Sequence, residues 1–415
     1  MEASEKLLLT LYKELKSEMT ENILPFWMNQ VYDIKTGSFF GQILHDETIV
    51  HDSPKGVVLN ARILWTFSAA YNETGDTVYL EFAEKAYHYF SSHFIDHQNG
   101  GVYWSLNADG SVCNGRKQIY AQAFAIYAFA EYYLASGEQD AILLASELYG
   151  FIEKYAFDSE RNGYIEALSR EWESLEDLRL SEKDANEPKS MNTHLHILEA
   201  YTKLFEVWKD DDLGENLHNL IQIHTDKILS AQNGHFNLFF DMDWNPKSKH
   251  YSFGHDIEGA WLLTEAARTL GLRAVTDKVE QLAVKMAGIT LREGIANDGS
   301  LYNEGESAKI TDYDRHWWPQ AEAIIGFVNA WEISGNPDFL IAASSAWQFI
   351  KIHMRHPSGE WWWLVNESYQ PDLTQDLAGA WKCPYHNTRC CIEIMKRVSR
   401  HFKNNKQELL KTLTE

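Results

Sequence analysis

Cysteine is scarce in this chain, and the few cysteines present cannot build a disulfide framework. They are Cys113, Cys383, Cys390 and Cys391, and no two of them form a C-x-x-C pair. Small cross-linked domains and zinc modules both depend on regular cysteine spacing. We therefore expect reduced thiols and a cytoplasmic location.

Positive charge is scarce as well. The sequence has 37 lysines and arginines against 60 aspartates and glutamates, which gives a net charge of -23. Nucleic acids and anionic membranes would repel such a chain, so we expect neither as a partner. We expect a monomer whose partner is a small, uncharged molecule.

Long apolar stretches are missing too. No uncharged apolar run reaches the roughly 20 residues that span a bilayer. The first residues, MEASEKLLLTLYKELKSEM, alternate charged and apolar residues at helical spacing. They lack the basic start and following apolar stretch of a signal peptide, so we predict an N-terminal structural helix.

What the sequence does contain is an internal repeat. A glycine followed closely by an aromatic residue recurs six times, at steps of 60 to 71 residues. Each occurrence predicts a tight hairpin turn with short flanking strands. The repeating glycines are Gly37, Gly101, Gly163, Gly234, Gly299 and Gly359.

Two kinds of helix are predicted between successive glycines. The first, such as NARILWTFSAAY, is apolar around most of its circumference, whereas the second, such as DTVYLEFAEKAYHYFSSHF, has one charged face. Buried inner helices and half-exposed outer helices have these patterns. Six such pairs predict an all-α (α/α)6 barrel with short β-hairpins in the connecting loops, as one domain over residues 1–415. An open solenoid of helix pairs is the alternative, although it would have shorter periods and polar capping repeats.

The first turns of the predicted inner helices carry unusual residues. Helices usually begin with Ser, Thr, Asp or Asn, whereas these turns are rich in histidine, arginine and tryptophan. Because inner helices begin at the same end of a barrel, we expect these side chains to converge on one mouth. Free N–H groups and positive potential at helix N-termini would also stabilise an oxyanion there. The candidates are Asn60, Arg62, Tyr120, Gln122, Asn192, His194, His196, His255, Glu258, His316, Trp317, Trp318, Gln320, Trp381, Tyr385, His386 and Arg389.

Two other chemistries compete for this mouth. His196, His255 and His386 are a conceivable zinc set, but H-E-x-x-H and clustered cysteine ligands are missing. Glu258 and Glu322 are conceivable carboxylates of a glycoside hydrolase, which needs one on each side of the scissile bond. The mouth is richer in imidazole, whose pKa of roughly 6.5 suits reversible proton transfer better than acetal cleavage.

Tryptophan points to a sugar ligand. The chain has 15 tryptophans, and the segments HWWPQ, GEWWW and GAWKCPYHN place six of them in the last two repeats. An indole face stacks on the apolar face of a pyranose and offers one N–H donor, although packing between helices is the other common role of such residues. The six are Trp317, Trp318, Trp361, Trp362, Trp363 and Trp381.

These segments together resemble a known family. In this order, NARILWTFSAAY, MNTHLHILEAYT, GHDIEGAWLLTEAA, WWPQAEA and WKCPYHNTRCCIE resemble the N-acylglucosamine 2-epimerase superfamily, and within it the cellobiose 2-epimerases. The resemblance covers nearly the whole chain. It implies an (α/α)6 barrel, no cofactor and no metal, and inversion of C2 in the reducing-end glucose of β-1,4-linked disaccharides.

The resemblance also implies roles for the matched residues. His255 and His386 resemble the two acid/base histidines, and Glu258, one turn after His255, would orient that imidazole. His196 resembles the residue that helps to open the sugar ring, and Arg62 the cation that faces the developing enediolate. Tyr120, Asn192, Trp318 and Trp381 resemble substrate contacts, and Gln320 and Arg389 of the same mouth are further candidates for substrate binding.

The residue types suit that reaction independently of the resemblance. Inversion at C2 needs an open-chain sugar and two bases, one for each face of the carbon, and the enediolate needs a fixed cation. Return of the proton to C1 would instead give a ketose. An N-acylglucosamine 2-epimerase, a mannose or glucose isomerase and a non-catalytic sugar-binding protein therefore stay open, and the tryptophans of the last repeats favour a disaccharide.

Overall fold

The computed structural model describes residues 3–402, and helices make up most of this part of the chain. Twelve long helices occur in it, and π-helical turns extend the first, seventh and eleventh of them. Their bounds are α1 Ala3–Ser17, α2 Val57–Thr74, α3 Thr77–His93, α4 Ile119–Ser136, α5 Gln139–Tyr155, α6 Met191–Val207, α7 Asp211–Ile223, α8 Phe253–Leu270, α9 Arg273–Glu293, α10 Trp317–Ser334, α11 Pro337–Phe349 and α12 Tyr385–His401.

The even-numbered helices form a closed inner ring. Each packs against the next, from α2 to α12, and α12 packs against α2. The odd-numbered helices lie outside this ring, and α1 packs on α11 and α12, so the N-terminal helix completes the sixth pair. The predicted (α/α)6 barrel is confirmed, because an open solenoid would not return α12 to α2.

Burial separates the two rings as the sequence pattern predicts. The inner helix α4 is buried without interruption from Ile119 to Tyr132, whereas the outer helix α3 buries only one stripe of residues. A stripe is enough for a helix with one neighbouring layer, while a helix between an axis and an outer layer must be apolar on most sides. None of the helices within residues 3–402 is long and apolar enough to cross a membrane.

Short antiparallel sheets connect neighbouring repeats around one end of the ring. Within the described residues there are six such sheets, and most pair the strand before one inner helix with a strand of the next repeat. Their strands are β1 Tyr32–Asp33, β2 Ser38–Phe39, β3 Lys55–Gly56, β4 Ser105–Leu106, β5 Val112–Asn114, β6 Lys117–Gln118, β7 Ala167–Leu168, β8 Lys189–Ser190, β9 Phe239–Phe240, β10 His250–Ser252, β11 Glu304–Glu306, β12 Lys309–Asp312, β13 Arg315–His316 and β14 Leu364–Val365.

The six repeating glycines all occupy turns with positive φ, between 67° and 106°. The first lies in the hairpin of β1 and β2, and a single β-bridge closes each of the other five turns, as between Phe157 and Tyr164. At Gly163 an added Cβ would lie 2.4 Å from the Trp244 ring and 2.9 Å from His194. Glycine is therefore required there both by backbone conformation and by space.

A polar residue in the first turn of four inner helices fastens these glycine turns. It is the fourth residue of the helix in each case, and it accepts a hydrogen bond from a backbone N–H one or two residues after the repeating glycine. We call these four residues the latch residues. Each is given with its donor and their distance: Gln122 with Val102, 2.7 Å; His194 with Tyr164, 2.9 Å; Asp256 with Phe236, 2.8 Å; and Gln320 with Leu301, 2.8 Å.

The histidine latch works only as a neutral imidazole. Nε2 of His194 accepts from the Tyr164 N–H, so Nδ1 must carry the proton that it donates to the Ser190 carbonyl oxygen at 2.6 Å. Burial lowers the pKa of His194 to about 3, and the bond to Ser190 opposes this only in part. Protonation of Nε2 would place two N–H groups against each other.

This geometry predicts that His194→Gln keeps the hydrogen bond to the Tyr164 N–H, since Gln122 and Gln320 accept the corresponding bond in their own repeats. The unfolded chain protonates His194 below a pKa of about 6.5, whereas the folded chain resists protonation down to about pH 3. Neutral His194 therefore contributes to the free energy of unfolding above pH 6.5, and this contribution is lost as the pH falls toward 3. In urea unfolding, we expect the variant to lose roughly 1–2 kcal/mol less than the wild type between pH 7 and pH 5.

The control for this experiment is His88→Gln, on an exposed position of α3. It should leave the pH dependence of the free energy of unfolding unchanged. An unchanged pH dependence in His194→Gln would show that His194 is not the titrating group.

Candidate active site

The first turns of the inner helices converge on one cavity at the mouth of the barrel. Its volume is about 220 Å³, and nine of the eleven predicted site residues line it. Those nine are Arg62, Tyr120, Asn192, His196, His255, Glu258, Trp318, Trp381 and His386, and Lys183, His316, Trp317 and Trp363 complete the lining.

The other two predicted residues lie elsewhere. Gln320 is a latch residue whose amide binds both the N–H and the carbonyl oxygen of Leu301, each at 2.8 Å, so both of its polar groups are engaged away from the cavity. Arg389 is buried below the cavity floor, where it binds carboxylates. The structure brings neither of them to the cavity wall.

Two of the cavity histidines have a glutamate partner. Nδ1 of His386 lies 2.7 Å from Oε1 of Glu322, and Nδ1 of His196 lies 2.9 Å from Oε2 of Glu199. A carboxylate at Nδ1 fixes the ring orientation and leaves Nε2 for the substrate. Glu199 was not predicted from the sequence, and Glu322 was named only as a conceivable carboxylate of a hydrolase.

His255 stands apart because its Nδ1 has no hydrogen-bond partner among the described residues. Burial, with a smaller contribution from His196, lowers the pKa of His255 to about 3. Burial also lowers the pKa of His386 well below its usual range, and the nearby Arg62 and Arg389 reinforce that effect. Both imidazoles are therefore neutral at pH 7 and each has a lone pair that can accept a proton.

The expected contact between Glu258 and His255 is not formed. Among the hydrogen bonds of residues 3–402, Oε1 of Glu258 accepts from Nη2 of Arg389 at 2.5 Å, and none joins Glu258 to His255. The three-residue spacing does place both side chains on the cavity side of α8, but the guanidinium below attracts the carboxyl group. Glu258 therefore does not orient His255 as the sequence suggested, and it binds Arg389 instead.

Arg389 gathers three buried glutamates from three neighbouring inner helices. Its Nη1 donates to Glu199, and its Nη2 donates to Glu258 at 2.5 Å and to Glu322 at 2.7 Å. Burial would raise the pKa of Glu199, but Arg389 and His196 outweigh it and lower that pKa to about 2. Burial raises the pKa of Glu258 to about 7, helped by the charge of Glu322.

This cluster also bears on the two alternatives considered from the sequence, a metal site and a glycoside hydrolase. Ligand atoms of Glu258, Glu322 and His386 lie within 4.8 Å of one another, which is a spacing that suits a metal ion. The Arg389 guanidinium already supplies the cation between the two carboxylates. Because both carboxylates are directed to one nitrogen, they do not flank a substrate bond as a hydrolase pair does.

Arg62 is the opposite case, a buried cation without an anion. Nη2 of Arg62 donates to the Tyr120 hydroxyl at 2.8 Å and Nη1 contacts Sγ of Cys383 at 3.6 Å. Its guanidinium also lies 4.3 Å from the centre of the Phe124 ring. No carboxylate of the described residues forms an ion pair with it, and its Nε is unpartnered. The positive charge is therefore free to interact with a ligand.

Aromatic side chains form the walls of the cavity. The Trp318 ring centre lies 4.7 Å from that of His255 and 5.6 Å from that of His386, so this indole packs beside both imidazoles. Gly254 permits this position, because a Cβ there would lie 2.6 Å from the Trp318 ring. Trp361, by contrast, is fully buried and donates to Glu18, so it is a packing residue.

A second cavity of about 480 Å³ adjoins the first and opens beyond it. The loop around residues 178–187 forms one wall, and the strand residues Ser252 and Asp312 belong to another. Five residues line both cavities, so the two spaces are continuous. These shared residues are Lys183, Asn192, His255, His316 and Trp318.

Comparison with known proteins gives a consistent result. The family model described as N-acylglucosamine 2-epimerase (GlcNAc 2-epimerase) matches residues 38–390. The cellobiose 2-epimerase of Bacteroides fragilis is 46% identical over 387 residues, which cover 93% of this chain and 98% of that protein. The cellobiose 2-epimerase of Dictyoglomus turgidum is 37% identical over 93% of this chain and 99% of its own length.

A solved structure agrees with the sequence comparison. The cellobiose 2-epimerase of Bacillus thermoamylovorans superposes with a TM-score of 0.90 and is 38% identical in sequence. The match covers 94% of this chain and 99% of that one. The family match over residues 38–390 includes the start of every inner helix that supplies a cavity residue.

The charge cluster predicts a pH-dependent defect for Arg389→Met. Removal of the guanidinium leaves buried carboxylates without a cation, which typically costs about 3–5 kcal/mol. Since the freed carboxyl groups then take up protons more readily, we expect the difference in free energy of unfolding from the wild type to shrink between pH 7 and pH 5. Urea unfolding of both proteins at pH 7 and pH 5 measures this difference.

Arg400→Met is the matched control, because Arg400 is an exposed arginine in the last turn of the same helix. It should change the free energy of unfolding little at either pH. A defect of Arg389→Met that is equal at pH 7 and pH 5 would contradict the assignment of Arg389 as counterion of titratable glutamates.

Proposed function

The chain belongs to the N-acylglucosamine 2-epimerase family, and from this membership we propose that it inverts C2 of the reducing-end glucose of β-1,4-linked disaccharides. Cellobiose would become glucosyl-mannose, and lactose would become epilactose. The reaction is an epimerisation through an open-chain sugar and a cis-enediolate. It uses His255 and His386 for proton transfer and Arg62 as the cation.

One observation carries this proposal. Arg62 is a buried guanidinium without a carboxylate partner among the described residues, and it lines the same 220 Å³ cavity as two neutral imidazoles. A cavity that holds an unpaired cation beside two proton acceptors is suited to a neutral substrate that becomes an anion during the reaction.

Ring opening is the first step. The anomeric hydroxyl must lose a proton and the ring oxygen must gain one before C2 becomes acidic. His196 is placed for this exchange, because Glu199 holds its Nδ1 and leaves the other ring nitrogen on the cavity side. This free nitrogen can accept the proton of the anomeric hydroxyl and pass it to the ring oxygen.

Proton transfer at C2 follows. One of the two imidazoles, His255 or His386, removes the C2 proton and becomes an imidazolium. The other, neutral in the empty site, takes up a proton from water while the enediolate is present, donates it to the opposite face of C2 and becomes neutral again. The first imidazolium then releases its proton to water, so both residues return to their starting form. Glu322 at 2.7 Å stabilises the imidazolium form of His386, whereas His255 has no such partner in the described residues and returns readily to its neutral form.

The enediolate between these two transfers is stabilised by Arg62. The guanidinium does not need to leave another anion in order to meet the developing oxyanion, so no interaction is lost as the new one forms. The Tyr120 hydroxyl at 2.8 Å and the ring of Phe124 hold the guanidinium in position. Trp318 and Trp381 provide apolar faces for the sugar.

The continuous second cavity supports a disaccharide as the substrate. The inner space of about 220 Å³ holds the reacting unit, and the adjoining 480 Å³ holds the second sugar. A monosaccharide would leave the larger space to water. Binding of the second unit adds contact area remote from the reacting carbon, and that binding energy can hold the reacting unit in place.

Substitution of the proposed acid/base residues tests the mechanism. His255→Asn and His386→Asn should each reduce epimerisation at least 100-fold, since general acid–base catalysis contributes about 10²–10⁴-fold. Arg62→Met should reduce the rate by a similar or larger factor because the enediolate loses its cation. Product formation by NMR measures the rate, and circular dichroism verifies that the fold is retained.

Near-wild-type turnover of a well-folded His255→Asn or His386→Asn variant would remove that histidine from the proton-transfer role. His97→Asn serves as the control, because His97 is exposed and lies outside the cavity lining. Its turnover should equal that of the wild type.

The substrate is tested with cellobiose in D2O. We expect glucosyl-mannose with deuterium at C2 of the reducing unit, because the returned proton comes from solvent. Release of free glucose would indicate a hydrolase instead. If cellobiose does not react, turnover of N-acetylglucosamine or mannose in the same assay would assign the chain to another activity of its family.

A further inference from the structure

The two cavities meet at a ring of five residues, and two of these have no role in the reaction described above. Asn192, His255 and Trp318 are already placed at the substrate, which leaves Lys183 and His316. Lys183 belongs to the exposed part of the loop at residues 178–187, whereas His316 lies in a fixed strand. His316 is therefore the better-positioned residue at the junction.

The backbone of His316 is held firmly. It is the last residue of β13, where it pairs with Leu364 of β14, and it immediately precedes α10. The next two residues, Trp317 and Trp318, both line the inner cavity. The imidazole is thus attached to a rigid support and stands where the inner cavity opens into the outer one.

The imidazole itself has no engaged partner in the described part of the chain. It stands at the N-cap position of α10 but makes no capping hydrogen bond, and no other hydrogen bond or ion pair of residues 3–402 involves its ring. Histidines 194, 196, 235 and 386 each hold a defined partner at Nδ1. A fixed imidazole with both ring nitrogens free can bind a ligand.

The charge state favours a neutral ligand group. Burial lowers the pKa of His316 to about 4, although Asp312 and Asp372 oppose this shift. At pH 7 the ring is neutral and offers one N–H donor and one acceptor nitrogen. A sugar hydroxyl or ether oxygen matches this pair, whereas a carboxylate or phosphate would prefer a cation.

We propose that His316 hydrogen-bonds to the second sugar unit of the disaccharide at its linkage to the reacting unit, and so determines the preference for disaccharides over monosaccharides. The proposal rests on the function proposed above. Arg62, His196 and His386 line only the inner cavity, where the reacting carbon must lie, while His316 lines both. His255 lines both cavities as well, but its role lies at C2, so His316 is the junction imidazole that is left for the linkage and the second unit.

The test compares cellobiose with glucose in His316→Ala and His316→Asn. With cellobiose, we expect His316→Ala to lower kcat/KM about 5- to 10-fold through KM, which corresponds to the loss of one buried hydrogen bond. With glucose, turnover should stay within about twofold of the wild type, since no second unit is present. His316→Asn should recover part of the loss, because its amide keeps a donor and an acceptor.

Titration calorimetry with the same two sugars gives a second readout that does not depend on turnover. The ratio of the Kd values for glucose and cellobiose should fall in His316→Ala and stay unchanged in His88→Ala, an exposed histidine of α3. Equal losses for both sugars, or no loss for cellobiose, would overturn the proposal. Failure of the proposed function would appear differently, as wild-type protein that binds cellobiose without epimerising it.

Discussion

The site depends on one buried guanidinium. Arg389 on α12 binds glutamates from α6, α8 and α10, so a single side chain joins four of the six inner helices below the cavity floor. Two of these glutamates in turn hold the Nδ1 atoms of His196 and His386. The positions of two imidazoles therefore depend on a charge that does not line the cavity. Removing one member leaves the others as unpaired buried charges, so the cluster is stable only when it is complete.

The repeat architecture brings the remaining residues to the same place. Latch residues fix the fourth position of the first turn against the glycine turns on the outer side of the helix. In an α-helix the second and sixth residues share one face, and the fourth lies on the other side. The second residues of the inner helices include Tyr120, Asn192, Trp318 and His386, and the sixth include Arg62, His196, Glu258 and Glu322. The start of each of these helices thus binds a glycine turn with one face and presents residues of the candidate site with the other.

The fold and most of the site were predictable because both follow from periodic local patterns. The repeating glycines and the two helix types predicted the barrel, and the unusual residues at the predicted starts of the inner helices included eleven of the thirteen residues that line the cavity. Gln320 was wrongly predicted to contact the substrate because a first turn contains both latch residues and cavity residues. Only the position within the turn distinguishes the two kinds. The ion pairs of Arg389 and the pairing of each histidine with its glutamate could not be predicted. Glu199, for example, meets Arg389 across 190 residues of sequence, and only the closed ring determines which glutamate reaches which imidazole.

The two arginines differ in a way that suits the proposed reaction, in which a charged site accepts a neutral sugar. Arg389 is surrounded by carboxylates and its charge is neutralised within the protein. Arg62 has a hydroxyl, a thiol and aromatic rings as neighbours, and these hold its position without cancelling its charge. Burial of a cation without an anion costs free energy in the empty site. In the proposed reaction an enediolate would recover that interaction, whereas the uncharged substrate and product would not, so the unpaired charge would favour the intermediate over both.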